Sequence, residues 1–246
     1  MILKIKGKLN SLLRRGKSCF HLKYGLDVAV NAGSLLMFAQ YLLLKELNET
    51  YKNKIFQIFI EEILNLHIGQ AWDIEWHRGK VVPSEVNYIQ MVAFKTGIIP
   101  KMISRMVATI LNLNEDKTNL LVLFAQNLGI SFQIQDDILN LSDSEHSKNK
   151  GQFCEDITEG KRSLIAIHAL NKSSQKNRLL EILDSHSNDI NIKNEALSIM
   201  KESKSLDYAK NIQKMYFNSA IESMSKVLLN NIYKESLKEF CMEVIK

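Results

Sequence analysis

Apolar residues recur at three- and four-residue spacing along most of this chain, the period of one helical face. The pattern starts at Leu26 and runs through Ala29, Ala32, Leu35, Leu36, Phe38, Ala39 and Leu42, up to a polar break at residues 48–53. A second helix carries Ile55, Phe56, Phe59, Ile60, Ile63, Leu64 and His67 and continues through Gln70, Asp73, Ile74 and Trp76 until Arg78, Gly79 and Lys80 end it. Pro83 and Ser84 then open a further helix, with Ser84 as its N-cap. That helix passes Met91, Val92, Lys95 and Thr96, bends or breaks over residues 97–100, and resumes with Met102, Ile103, Met106, Val107 and Ile110. A central helix is predicted over 117–141, then a polar loop, then a short apolar helix over 163–170. Beyond it, helices alternate with Ser-, Asn- and Lys-rich turns near Lys172, Ser185 and Ser203. Residues 1–24 read as a short helix and a loop. Strand-like alternation is nearly absent, so the prediction is an all-α bundle of eight or nine helices.

Composition narrows this without changing it. With 246 residues, 46% of them hydrophobic and 24% charged, one globular domain over 1–246 is expected. Only two prolines, Pro83 and Pro100, interrupt the helical pattern. Three widely spaced cysteines point to a reducing compartment, and hence to the cytoplasm. The N-terminal stretch holds seven basic residues and no acid before Asp27, the composition of a mitochondrial transit segment, which is the alternative location. No stretch reads as an uncharged membrane span; the best candidate, 120–132, is too short. A net charge of +5 suits anionic ligands, and nothing in the pattern points to nucleic acid. The six histidines show no metal-ligand spacing.

Candidate chemistry gathers at residues 132–141, FQIQDDILNL, where an apolar run closes on two adjacent acids. Asp136 and Asn140 share a helical face, and Asp137 is one step round. Two carboxylates and an amide oxygen suit a hard cation such as Mg2+. Equally, these ten residues describe acids facing solvent where a helix leaves the core. The following stretch, NKGQFCEDITEGK, adds Lys150 and Lys161 around a further acidic turn, an arrangement fit for a metal-bridged polyphosphate.

In order and spacing, FQIQDDILNL…NKGQFCEDITEGK…IHAL resembles the second Asp-rich region of trans-isoprenyl diphosphate synthases, most like the animal and fungal geranylgeranyl diphosphate synthases. The similarity extends from about Asn10 into the C-terminal helices. It implies an isoprenoid-synthase-type helical bundle, a Mg2+ cofactor, and transfer of a prenyl group from an allylic to a homoallylic diphosphate. It implies metal binding by Asp136 and Asp137, with Asn140 standing where many members have a third acid. Gln133, Lys150 and Lys161 match positions that contact the allylic diphosphate, as do Lys95 and Thr96 in the segment FKTG. LRRG, followed by His21 and Tyr24-Gly25, resembles the family segment whose first arginine meets the allylic diphosphate and whose second meets the homoallylic one, roles that fall on Arg14 and Arg15. HIGQAWDIEW resembles a family helix that turns Gln70 and Asp73 into the cleft, although a buried polar pair ordering helix packing reads the same way.

The departures are as informative. Gln135 stands where an arginine is usual, and the loop at Lys150 is one residue longer than in the animal enzymes. At the front, the family's first Asp-rich motif lies just before LRRG. Here IKGKLNS occupies that place, with two lysines and no acid. The bundle is therefore expected to be N-terminally shortened and to lack the residues that hold isopentenyl diphosphate. Two functions follow from the resemblance: a geranylgeranyl diphosphate synthase-like prenyltransferase of reduced or absent activity on its own, or a non-catalytic subunit pairing with a full-length synthase. Either way the resemblance implies a homodimer or a heterodimer with a related synthase, since family members dimerise through long helices and those at 26–42 and 55–66 keep broad apolar faces.

Overall fold

The computed structural model describes residues 13, 14, 17–79, 81–141, 154–227 and 232–245. The architecture is all-α, as the periodicity requires. The front differs from the expected helix and loop. A two-residue antiparallel ladder pairs β1 (Leu13–Arg14) with β2 (Lys17–Ser18), setting Arg14 opposite Lys17. Then come α1 (Phe20–Tyr24), α2 (Leu26–Lys45), α3 (Glu49–His77), α4 (Glu85–Val92), a π-helical turn at Ala93–Gly97, α5 (Ile98–Ile110) and α6 (Glu115–Asn140). The second half holds α7 (Glu155–Thr158), α8 (Leu164–Lys172), α9 (Lys176–Ser185), α10 (Ile190–Glu202), α11 (Ser205–Val227) and α12 (Ile232–Val244). These are more helices than the eight or nine expected, because single polar or left-handed residues split the C-terminal half into short pieces. His186 and Lys204 take positive φ there.

The starts of the helices are written in the sequence. Asn48, Ser84, Asn114, Ser163 and Asp189 each accept a backbone N–H of the first turn through a side-chain oxygen. At Ser84 the contact is reciprocal, because Asn87 reaches back to the cap backbone.

Two helices organise the interior. Ile130, Ile134 and Ile138 of α6 enter the main core, where they meet Tyr88, Met91 and Val92 of α4 and the apolar residues of α8 between Leu164 and Leu170. From Leu164 to Leu170 α8 is buried on all sides, and His168 is the one polar residue in that span. α6 also lies along α11, where Phe124 and Ala125 join Ala220, Met224 and Cys241 in a second, smaller cluster. Each fully buried isoleucine adds roughly 1.5–3 kcal/mol over its exposed state.

One expectation fails at α2. Leu26–Lys45 is long and apolar enough, by length and composition, to cross a membrane, whereas the sequence pattern had singled out the shorter run at 120–132. Its apolar residues lie on several faces, so a single helical stripe understates how apolar it is. Only Ala29 and Gly33 of its 20 residues are buried.

Candidate active site

The site lies where α3, the π turn and α6 cross, and glycines decide how closely they cross. A Cβ on Gly69 of α3 would sit 2.7 Å from the backbone nitrogen of Lys95, and one on Gly129 of α6 would sit 2.6 Å from the Cα of Gly97. The π turn is thus pressed between two helices that show no side chain at the contact. One turn beyond each glycine stands a polar residue, and each meets the turn. Lys95 Nζ donates to Asp73 Oδ2, and Thr96 Oγ1 donates to Gln133 Oε1 at 2.8 Å. A π turn widens the helix by one residue and is common at functional sites. Here it presents successive residues, Lys95 and Thr96, to different helices. The bend or break expected over residues 97–100 is not found there: the irregular turn lies just before it, at Ala93–Gly97, and α5 runs from Ile98 through Pro100 without a break.

A second charged group gathers around the end of α6. Lys161 Nζ donates to Asp137 Oδ1 at 2.6 Å and to Asp156 Oδ2 at 2.8 Å. Tyr88 donates its hydroxyl to Asp137 Oδ2 at 2.8 Å, and Gln133 Nε2 donates to Asp137 Oδ1 at 2.9 Å and to Asp136 Oδ2 at 3.5 Å. Asp137 is fully buried while Asp136 is half-buried. Asn140, expected among the metal ligands, uses its Oδ1 to accept the backbone N–H of Asp156 at 3.0 Å. It is buried and fastens the turn that carries Asp156 and Lys161 to the end of α6.

Electrostatics tie the two groups into one site. Burial alone would lower Lys161, but Asp137 and Asp156, with Asp136 and Asp73 behind them, hold its ammonium protonated far above the ordinary lysine range. Burial pushes Asp137 up; Lys161 pulls it back, and Asp156 and Asp136 push it further. Burial also acts to raise Asp73, yet Lys95, His77 and Lys161 outweigh it and hold that carboxyl below its usual range. His77, 3.5 Å from Asp73, is pushed down to about 4 by burial and by the two lysines against the pull of Asp73, so it is neutral at physiological pH.

Of the residues expected from sequence, Lys95, Thr96, Gln133, Asp136, Asp137, Asn140 and Lys161 come together here. Arg15 and Lys150 lie outside the described residues, as does the side chain of Arg14. Gln70 is buried beside Asp73, with a long 3.5 Å contact to it. The structure adds Tyr88, whose only sequence signal was an apolar helical face. It also gives Asp73 and Asp156 partners that spacing could not name.

The donors suit a hard cation, being carboxylate oxygens on one helix end. Among the described residues no three acids, histidines or cysteines gather closely enough to hold a metal unaided. Mg2+ is commonly bound through one or two carboxylates, with waters and phosphate oxygens completing its shell. The residues therefore fit Mg2+ as an ion shared with a diphosphate, and not as one caged by protein.

Buried acids and lysines where the helices of an all-α bundle cross are the arrangement that the resemblance to isoprenoid synthases implies. The chain belongs to the polyprenyl synthetase family, whose model matches residues 10–200. It is 39% identical over 199 residues to the geranylgeranyl pyrophosphate synthase of Dictyostelium discoideum, covering 81% of this chain and 63% of that protein. It is 34% identical over 223 residues to geranylgeranyl pyrophosphate synthase atmG of Aspergillus flavus, covering 91% and 63%. The chain thus spans just under two thirds of the length of these relatives. A solved geranylgeranyl pyrophosphate synthetase from Pyrococcus horikoshii superposes with a TM-score of 0.88 at 26% identity, over 100% of this chain and 74% of that one.

Proposed function

We propose that this chain binds an allylic diphosphate at the site that holds Lys95 and Lys161 and takes part in geranylgeranyl diphosphate-type prenyl transfer to a homoallylic diphosphate. The observation that carries the reading is the joining of Lys95, Thr96 and Gln133 with Asp136, Asp137 and Lys161 at the crossing of α3, the π turn and α6. In this reading Lys95 and Lys161 meet phosphate oxygens as point charges. Thr96 and Gln133, already bonded to each other, hold polar atoms between them. Asp136 would hold Mg2+, which when bound supplies Lewis-acid neutralisation of the diphosphate charge. Leu64, Ile68 and Trp72 form an exposed apolar stripe on α3 that leads away from Asp73 and suits a prenyl chain. Trp72 is stacked on Phe94, with ring centroids 5.6 Å apart.

A second reading is kept by one observation, the sequence IKGKLNS just before LRRG. With lysines in place of acids there, the chain acts as a non-catalytic subunit that binds the diphosphate and pairs with a full-length synthase. In the family this reaction draws on acids from two motifs, and loss of one preorganised charge-stabilising group typically costs about 10²–10³ in rate. Titration calorimetry with farnesyl diphosphate and Mg2+ is the test. Metal-dependent heat is expected from the folded chain and should be lost in Asp136→Ala. Folded protein giving no heat beyond dilution overturns the reading. Incorporation of labelled isopentenyl diphosphate then separates the two roles, since elongation on the order of 1 s⁻¹ by this chain alone marks a self-sufficient enzyme.

A further inference from the structure

The paired acids Asp136 and Asp137 look equivalent in sequence, but their surroundings are not. Both oxygens of Asp137 are taken, Oδ2 by the Tyr88 hydroxyl and Oδ1 by Lys161 and Gln133. All three partners are donors, the set an ionised carboxylate accepts. Asp137 and Tyr88 are each 0% exposed, so no water stands ready to replace any of these contacts. Drawing Asp137 toward a metal would strand a hydroxyl and an ammonium in a dry interior. Lys161, by contrast, spends two of its three N–H groups on Asp137 and Asp156 and keeps a small exposed fraction, 10% of its side chain. Asp156 is itself fixed through Asn140.

We propose that Asp137 is the anchor of Lys161 and not a metal ligand, and that Tyr88 is a positioning residue that fixes this anchor. The two acids then divide the work: Asp136 faces the metal, and Asp137 holds an ammonium with its remaining N–H aimed at a phosphate oxygen. The metal and phosphate halves of this statement rest on the diphosphate reading above; the anchoring half does not. Tyr88, on α4, acts only through Asp137.

Two measurements test it on the full chain. The first is competitive labelling of lysines with acetic anhydride in metal-free protein, read for each lysine by mass spectrometry. Asp137→Asn removes a charged partner of Lys161 and should raise its labelling about tenfold, and Tyr88→Phe, which takes away the bond that fixes Asp137, should raise it in the same direction by a smaller factor, with Lys95 unchanged. Tyr88→Phe keeps the ring in the core, so it carries the test if Asp137→Asn does not fold. The second is Mn2+ binding in the presence of inorganic pyrophosphate, followed by electron paramagnetic resonance. Asp137→Asn should stay within about twofold of the parent, while Asp136→Asn weakens the ion about tenfold or more, the loss of one charged ligand. Unchanged labelling of Lys161 in the variants overturns the anchor. Loss of Mn2+ in Asp137→Asn equal to that in Asp136→Asn overturns the division of roles. Failure of the parent chain to bind Mn2+ with pyrophosphate overturns the diphosphate reading and with it the metal role of Asp136, while the labelling still decides the anchor.

Discussion

At the scale of single residues, the site is held by long-range charge pairs whose cost and benefit depend on burial. His77 shows this in a measurable way. Its ordinary value of 6.5 falls to about 4 in the folded chain, through burial first and then the two lysines. Between those values the unfolded chain binds a proton that the folded chain refuses. Stability therefore falls as pH drops from 6.5 to about 4, and the loss is complete below that. The change amounts to about 3 kcal/mol for a shift of this size. Urea midpoints measured across this range should fall accordingly, and His77→Gln should flatten that part of the profile. A parent profile with no slope in this window would refute the assignment. Asp73 has the opposite signature at lower pH. Its depressed value contributes stability above the ordinary carboxylate range, and that contribution is lost as pH falls through the folded value.

At the scale of elements, the π turn depends on the two bare helix surfaces that clamp it. Adding one methyl group at position 129 places it 2.6 Å from Gly97 Cα and 3.2 Å from Gly97 N. Those are backbone atoms and cannot rotate aside. Overpacking of this kind typically costs about 1–3 kcal/mol. Gly129→Ala should lower the denaturation midpoint with little change in the denaturant slope, and should also weaken diphosphate binding by shifting Thr96 away from Gln133. A variant as stable as the parent, with unchanged binding, would show that α6 and the π turn separate freely. Gly97 itself has room of only 3.1 Å to the carbonyl of Gln126, so the same crossing is tight from both sides.

At the scale of the molecule, α2 stands out. Leu35, Leu42 and Leu43 are each about two thirds exposed or more, and Phe38 nearly so. A helix apolar on most of its circumference is stable in water only when covered. The occupant we propose is a second copy of this chain. Light scattering of the purified chain should give twice its 28.2 kDa mass, and Leu35→Glu with Leu42→Glu should return it to one. A parent protein that is fully helical and monomeric in solution would refute this.

Periodicity, the Ser84 cap and the order of the acids and lysines carried the helical class, the approximate starts of several helices before residue 170 and seven of the residues that meet in the site. Those are local signals, readable within a few turns of one helix. The first residues escaped this reading because a two-residue ladder at Leu13–Arg14 leaves no period to detect. The site's contacts escaped for a different reason: Lys95 meets Asp73 across 22 positions, and Tyr88 meets Asp137 across 49. Helical spacing places a side chain on a face, but which face meets which is set by packing depth. Here that depth is set by Gly69 and Gly129 against the π turn. The sequence determined that Asp136 and Asp137 would stand together at the end of one helix. Only the tertiary structure decided that one of them is half-buried and the other sealed under Tyr88 and Lys161, because burial and hydrogen-bond partners belong to the assembled core and not to the helix that carries the pair.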